Sequence, residues 1–116
     1  MITGGTLCAA AVIVGAFGAH ALKSVLDAKA LGWIDTGVSY QTTHALALIA
    51  CGLLPASRAN TRTSLLFIAG IILFSGSLYL MALTGMTKLG VVTPIGGVLF
   101  LAAWASFCWM VGALKN

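Results

Sequence analysis

The residues of this sequence that could do chemistry are uncharged polar and aromatic side chains set within long apolar stretches. Imidazoles transfer protons near neutral pH and ligate metals, while amide, phenol and hydroxyl groups together can hold a small polar molecule. The predicted polar cluster comprises His20, Tyr40, Gln41, His44, Ser75, Ser77, Tyr79 and Thr93. What these side chains can do depends on the elements that position them.

The charged residues divide the chain into four long stretches that contain no Asp, Glu, Lys or Arg. These stretches are residues 1–22, 36–57, 63–87 and 89–114. At about 1.5 Å of rise per residue, a helix over each one crosses a hydrocarbon core of roughly 30 Å. The sequence therefore predicts an all-α protein, a four-transmembrane-helix bundle formed by a single integral membrane domain over residues 1–116.

The predicted spans are about 2–22, 37–56, 64–86 and 93–114. Asp35 or Thr36 is the predicted cap of the second span, Thr63 or Ser64 that of the third, and Thr93-Pro94 the start of the fourth. Short connections at 57–63 and 86–92 predict antiparallel neighbours.

The segment from Lys23 to Asp35 carries charges, unlike the predicted spans. Its apolar residues recur at helical spacing and include Trp33, a residue type that anchors at membrane interfaces. The pattern is consistent with either a short interfacial helix or an ordered loop.

The composition excludes a soluble domain. Hydrophobic residues make up 60% of the chain and charged residues 7%, whereas soluble domains carry about 25% charged residues. The net charge of +4 includes no basic run, so the lipid bilayer is a predicted partner and nucleic acid is not.

Depth along the predicted spans argues against a metal or haem site. His44 lies about 12 Å from the nearer membrane surface and about 7 Å deeper than His20, whereas a haem needs two axial nitrogens at one level. The thiols of Cys8, Cys51 and Cys108 are predicted in the opposite half of the bundle. We therefore predict no metal site and no cofactor.

The sequence also lacks the usual catalytic motifs. It contains no G-x-S-x-G, phosphate-binding loop, H-E-x-x-H or paired carboxylates. The only carboxylate side chains, those of Asp27 and Asp35, lie between the first two predicted spans. No catalytic residue is predicted, and the chain is not expected to be an enzyme.

Five segments resemble the DUF423 family, a set of small four-span inner-membrane proteins of bacteria. They are Gly15–Leu22 (GAFGAHAL), Trp33–Gly37 (WIDTG), Tyr40–Ala47 (YQTTHALA), Leu73–Tyr79 (LFSGSLY) and Val92–Gly97 (VTPIGG). The resemblance implies a multi-pass protein of the bacterial inner membrane with both termini in the cytoplasm, and it implies no biochemical activity.

The charges alone favour the same orientation only weakly. Arg58, Arg62 and Lys115 lie on the side of the termini, and Lys23, Lys29 and Lys88 lie on the other. The amino terminus breaks this tie in favour of cytoplasmic termini, because positive groups collect on that side.

Three functional hypotheses follow from the sequence. The first is a non-enzymatic structural or accessory protein that forms a homo-oligomer or joins a larger membrane complex, with the polar cluster tying helices together. The second is a protein that binds or transports a small molecule or ion through the polar cluster, in the non-cytoplasmic half of the bundle. The third and weakest is a redox protein associated with haem or quinone.

Overall fold

The computed structural model describes residues 1–114, apart from the side chain of Ala19. Four α-helices follow one another: α1 (Ile2–His20), α2 (Ala28–Leu53), α3 (Arg58–Thr84) and α4 (Thr93–Leu114), with a short 3₁₀ turn at Thr87–Val91 before α4. The described residues contain no strand, so the predicted all-α class is confirmed. Lys115, one of the six Lys and Arg residues of the sequence, lies outside the described residues.

Helix α2 begins earlier than the sequence predicted. The Asp27 carboxylate accepts a 2.8 Å hydrogen bond from the amide of Ala30, which is the usual N-cap arrangement. The helix then runs without interruption to Leu53. The segment Lys23–Asp35 is therefore neither a separate interfacial helix nor a loop throughout, because its second half forms the first two turns of α2.

Helix α3 also begins before its predicted start. Ser57 is the N-cap, and its hydroxyl accepts from the amide of Asn60 at 3.0 Å. Thr63, predicted as a cap, instead lies inside the helix and donates to the carbonyl of Ala59. The helix ends at Gly85, whose φ of 73° is in the left-handed region that favours glycine.

Consecutive helices pack antiparallel, as predicted. Along the contact of α1 with α2, Gly4 lies against Ala45 while Gly18 lies against Ile34. Further contacts of α2 with α3 and of α3 with α4 complete the bundle, and α1 packs chiefly on α2. The main core lies between α2, α3 and α4 and contains Ala47, Leu48, Cys51, Phe67, Ile71, Phe100, Ala103 and Met110.

Two segments among the described residues are long and apolar enough to cross a membrane. They are Arg58–Thr84 and Thr87–Leu114. A third apolar segment, Ile2–Gly18, is shorter. Helix α2 has 26 residues, but Lys29, Asp35 and the polar residues of its middle turns make it less apolar than α3 or α4.

Candidate functional site

The polar centre of the molecule is Gln41, which connects three helices. Its amide nitrogen donates to the carbonyl oxygen of Leu7 in α1 at 2.8 Å. Its amide oxygen accepts from the hydroxyl of Tyr79 in α3 at 2.7 Å. The side chain is only 5% exposed, so both bonds lie where water cannot replace them.

A second polar contact joins α2 to α3 beside Gln41. The hydroxyl of Ser75, fully buried, donates to the backbone carbonyl of Gly37 at 2.7 Å. The Tyr79 ring lies so close to Gly37 that a Cβ there would be 2.6 Å from a ring carbon. The glycine thus allows the approach that brings the tyrosine hydroxyl to Gln41.

His44 lies in an aromatic environment rather than among these polar groups. Its ring stacks on Phe100 of α4, with centroids 3.5 Å apart and an interplanar angle of 9°. Phe67 and Trp104 also contact the imidazole. Nδ1 is 2.6 Å from the carbonyl of Tyr40, and because a carbonyl only accepts, Nδ1 carries the hydrogen.

Tyr40 differs from His44 in exposure. The side chain of Tyr40 is 44% exposed, whereas that of His44 is 5% exposed. The tyrosine ring packs on Phe74 at 4.4 Å and continues the row of rings that contains His44. This row, formed by Tyr40, His44, Phe67, Phe74, Phe100 and Trp104, is referred to below as the aromatic cluster.

Ser77 and Thr93 form a separate hydroxyl pair between α3 and the start of α4. Their oxygens are 2.5 Å apart, and Ser77 is also 2.9 Å from the carbonyl of Phe74. The predicted cap at Thr93 therefore has another role, because its hydroxyl ties two helices together. Helix α4 does begin at Thr93, as the Thr-Pro pair predicted.

His20 does not join the other predicted residues. It is exposed at the last residue of α1. Gly18 of that last turn lies against Ile34, which precedes His44 by ten residues and so by about 15 Å of helical rise. This separation is about twice the depth difference expected from the sequence, because α2 begins earlier than predicted. The two imidazoles cannot ligate one haem iron.

The predicted division of polar groups and thiols between two halves of the bundle is wrong. Leu7, whose carbonyl holds Gln41, is the neighbour of Cys8. At the end of the bundle that carries the termini, Thr63 and Ser106 form another hydroxyl pair at 2.6 Å. Polar contacts therefore occur along the whole length of the bundle.

Asn60 is a structural residue that the sequence analysis missed. Its side-chain nitrogen lies 2.9 Å from the carbonyl of Cys51, with the carbonyls of Leu54 and Pro55 at 3.4 and 3.1 Å. It thereby binds the end of α2, where the helix leaves carbonyls without partners of their own. Its position three residues after Ser57, just beyond a proline turn, was the available signal.

The buried polar side chains of the described residues are bonded within the protein. Every fully buried side-chain nitrogen or oxygen has a partner. Those residues also include no group of three or more His, Cys, Asp or Glu side chains that could hold a metal ion. The arrangement is suited to holding helices together.

Comparisons with known proteins give one consistent family. The sequence profile described as protein of unknown function (DUF423) matches residues 14–97. A UPF0382 membrane protein of Haemophilus influenzae is 46% identical over 108 residues, covering 90% of this chain and 85% of the relative. The UPF0382 inner membrane protein YgdD of Escherichia coli K12 is 42% identical over 107 residues, covering 90% and 80%. The UPF0382 membrane protein YwdK of Bacillus subtilis is 41% identical over 109 residues, covering 90% and 87%. No solved structure matches significantly.

Proposed function

This chain belongs to the DUF423 family of membrane proteins, and on that premise we propose that it is a non-enzymatic structural or accessory protein of the bacterial inner membrane. It spans the bilayer four times and acts by presenting a rigid helical surface to other membrane proteins or to further copies of itself. The inner-membrane location is supported by the description of the Escherichia coli relative.

Four spans are supported by the way the helices align. Helix α3 passes the length and hydropathy criteria for a span. Helix α2 lies antiparallel beside it, with Asn60 near Cys51 and Ser75 near Gly37. Helix α1 lies along α2 over nearly its whole length, since Met1 is beside Gly52 and Gly18 beside Ile34. Helices aligned in this way occupy the same depth as α3.

Cytoplasmic termini belong to the same proposal. The amino terminus, Arg58 and Arg62 lie at one end of the bundle, whereas Asp27 and Asp35 lie at the other. A reporter that is active only in the cytoplasm, fused to the carboxyl terminus, is expected to be active. A periplasmic reporter at the same position would be active instead if the orientation were reversed.

The observation that carries the structural role is the pair of hydrogen bonds that ties Gln41 to α1 and α3. An amide side chain aimed at a ligand turns at least one of its ends to that ligand, whereas the nitrogen and the oxygen of this amide are each bonded to a neighbouring helix. The hydroxyl of Ser75 likewise donates its hydrogen to the backbone carbonyl of Gly37 on a neighbouring helix. Polar groups used in this way stabilise helix association in lipid.

The proposal is tested by isolating the full chain from native membranes in mild detergent after chemical crosslinking. We expect a species larger than the monomer, containing either several copies of the chain or another membrane protein. A monomer with no crosslinked partner, obtained under conditions that preserve a known complex in the same membranes, would contradict it.

The ligand-binding hypothesis has one observation in its favour, which is the ring contact between Tyr40 and His44. The exposed tyrosine is next to the buried imidazole in the aromatic cluster. Replacement of His44 by phenylalanine separates the two hypotheses, because the ring remains and the imidazole nitrogens are lost. Binding predicts a folded protein without function in its cell of origin, whereas the structural role predicts a folded protein that retains function.

A further inference from the structure

We propose that the outer face of α3 at the terminus end of the bundle binds one anionic phospholipid, with its phosphate at Arg58 and Arg62. The proposal rests on the membrane location of α3 and is independent of the structural role proposed above. Neither guanidinium group has a hydrogen-bond or ion-pair partner in the part of the chain that the structure describes.

The site is a shallow groove of about 840 Å³ on one face of α3. Its lining includes Arg58 and Arg62 at the first turns, then Leu65, Leu66 and Ala69 further along the helix. The last four of these residues lie four, seven, eight and eleven positions after Arg58, so all five form one continuous stripe. The groove is therefore basic at one end and apolar at the other.

The two arginines have no carboxylate partner in the described part of the chain. The acidic residues Asp27 and Asp35 lie in the connection before α2 and its first turns, at the opposite end of the bundle. The two guanidinium groups carry a combined charge of +2 beside an apolar surface. This combination is complementary to a lipid with an anionic headgroup and an acyl chain. Guanidinium groups also match phosphate oxygens with paired hydrogen bonds.

The start of α3 adds to this positive potential. The hydroxyl of Ser57 accepts a hydrogen bond from the amide of Asn60, and the carbonyl of Ser57 accepts one from the amide of Thr61. Within the described residues the amides of Arg58 and Ala59 have no such partner, as is usual in a first helical turn. The positive end of the helix dipole thus lies beside the two arginines.

The dimensions of the groove fit one lipid chain. From Arg58 to Ala69 the helix rises about 16 Å, which is close to half of the roughly 30 Å hydrocarbon thickness. The headgroup region and a single leaflet are therefore both within reach of the stripe. Leu65, at its middle, is 60% exposed, so the chain itself leaves this surface to a lipid.

The experiment is native mass spectrometry of the full-length protein extracted from nanodiscs that contain equal amounts of phosphatidylglycerol and phosphatidylcholine. We expect one phosphatidylglycerol molecule to be retained in preference to phosphatidylcholine. In the double variant Arg58→Gln/Arg62→Gln, retention should fall about 30-fold, since each basic residue at the surface contributes about fivefold. Added inorganic phosphate should not displace the lipid, because phosphate lacks the acyl chain.

Two further variants keep the test specific. The double variant Lys29→Gln/Lys88→Gln removes the same charge from the opposite end and should retain phosphatidylglycerol as the wild type does. Ala69→Phe fills the apolar end of the groove and should reduce retention with both arginines intact. Circular dichroism confirms that each variant keeps its helical content.

Three results would overturn the proposal. The first is equal retention of the two lipids by the wild-type chain. The second is unchanged phosphatidylglycerol retention in the arginine variant. The third is a dimer that disappears in the arginine variant without any loss of lipid, which would assign the groove to a second copy of the chain. A failure of the crosslinking experiment would leave this lipid site unaffected.

Discussion

Helix α3 contacts α2 and α4 through different chemistry. Toward α2, the contact is polar and directional: Ser75 bonds to the backbone of Gly37, and Tyr79 bonds to Gln41. Toward α4, close packing dominates the middle of the contact, because the Phe100 ring lies against Gly70 and the backbone of Phe74 lies against Gly96. The hydroxyl pairs Ser77–Thr93 and Thr63–Ser106 lie on either side of it. Hydrogen bonds fix which residues face each other, whereas glycines and rings fix how close the helices come.

This difference matters because lipid offers helices little hydrophobic reason to associate. Close packing and interhelical hydrogen bonds must supply the stability. The two contacts of α3 allow packing and hydrogen bonding to be compared within one small protein. Variants that damage one contact at a time measure how much each contributes to the free energy of unfolding.

Gly96→Ala is expected to have the largest effect. A Cβ at this position would overlap the backbone of Phe74, including its Cα at 2.8 Å. Backbone atoms cannot rotate away, so α4 must separate from α3 at a cost of about 3 kcal/mol. The free energy of unfolding in mixed detergent micelles measures the loss. Gly76→Ala is the matched control, because nothing lies within 4 Å of a Cβ built at that position. An unchanged free energy of unfolding in Gly96→Ala would show that α4 is not closely packed on α3.

His44→Ala is expected to cost about 2 kcal/mol, since it removes a ring from the aromatic cluster and leaves a cavity. His44→Phe retains stacking on Phe100 and should recover at least half of that loss. The same unfolding measurement distinguishes the two variants. Equal losses for alanine and phenylalanine would assign the role of His44 to its nitrogen and would move this residue to the polar side of the comparison.

Gln41→Leu tests the polar contact and is expected to cost about 1.5 kcal/mol. The substitution keeps much of the volume but removes the bond from Tyr79 and the bond to Leu7, and hydrogen bonds between membrane helices contribute roughly 0.6 kcal/mol on average and up to about 1.7. Thr43→Val is the control, because Thr43 is exposed and bonds only to Ser39 of its own helix. A loss no larger than that of the control would mean that Gln41 does not tie the helices together.

The sequence was sufficient for the helices but not for their ends. Uncharged stretches predicted all four helices and their antiparallel order, because charge is costly inside a hydrocarbon layer. They could not locate the start of α2, since Asp35 fits the pattern of a cap as well as Asp27 does. Only the structure shows that Asp27 receives the amide of Ala30.

The same limit explains which polar residues could be predicted to meet. Ser75 and Tyr79 meet α2 at Gly37 and Gln41, one turn apart, so counting residues along the spans was enough to group them. His44 was grouped with them by depth, although its ring faces Phe100 and Trp104 instead. Depth follows from sequence position, but the facing direction depends on helix rotation, which a single sequence does not specify.

Ser77→Ala is expected to have the smallest effect, about 0.6 kcal/mol, and it sharpens the comparison most. The hydroxyl pair of Ser77 and Thr93 is one of two polar pairs, with that of Thr63 and Ser106, in a contact that otherwise depends on close packing. Thr93→Val removes the other partner, so the double variant should cost no more than about the larger single loss. If the two losses simply add, these two hydroxyls do not stabilise each other, and this end of the contact between α3 and α4 depends on packing alone. A coupling energy close to the loss measured for Gln41→Leu would instead mean that both faces of α3 use hydrogen bonds to the same extent.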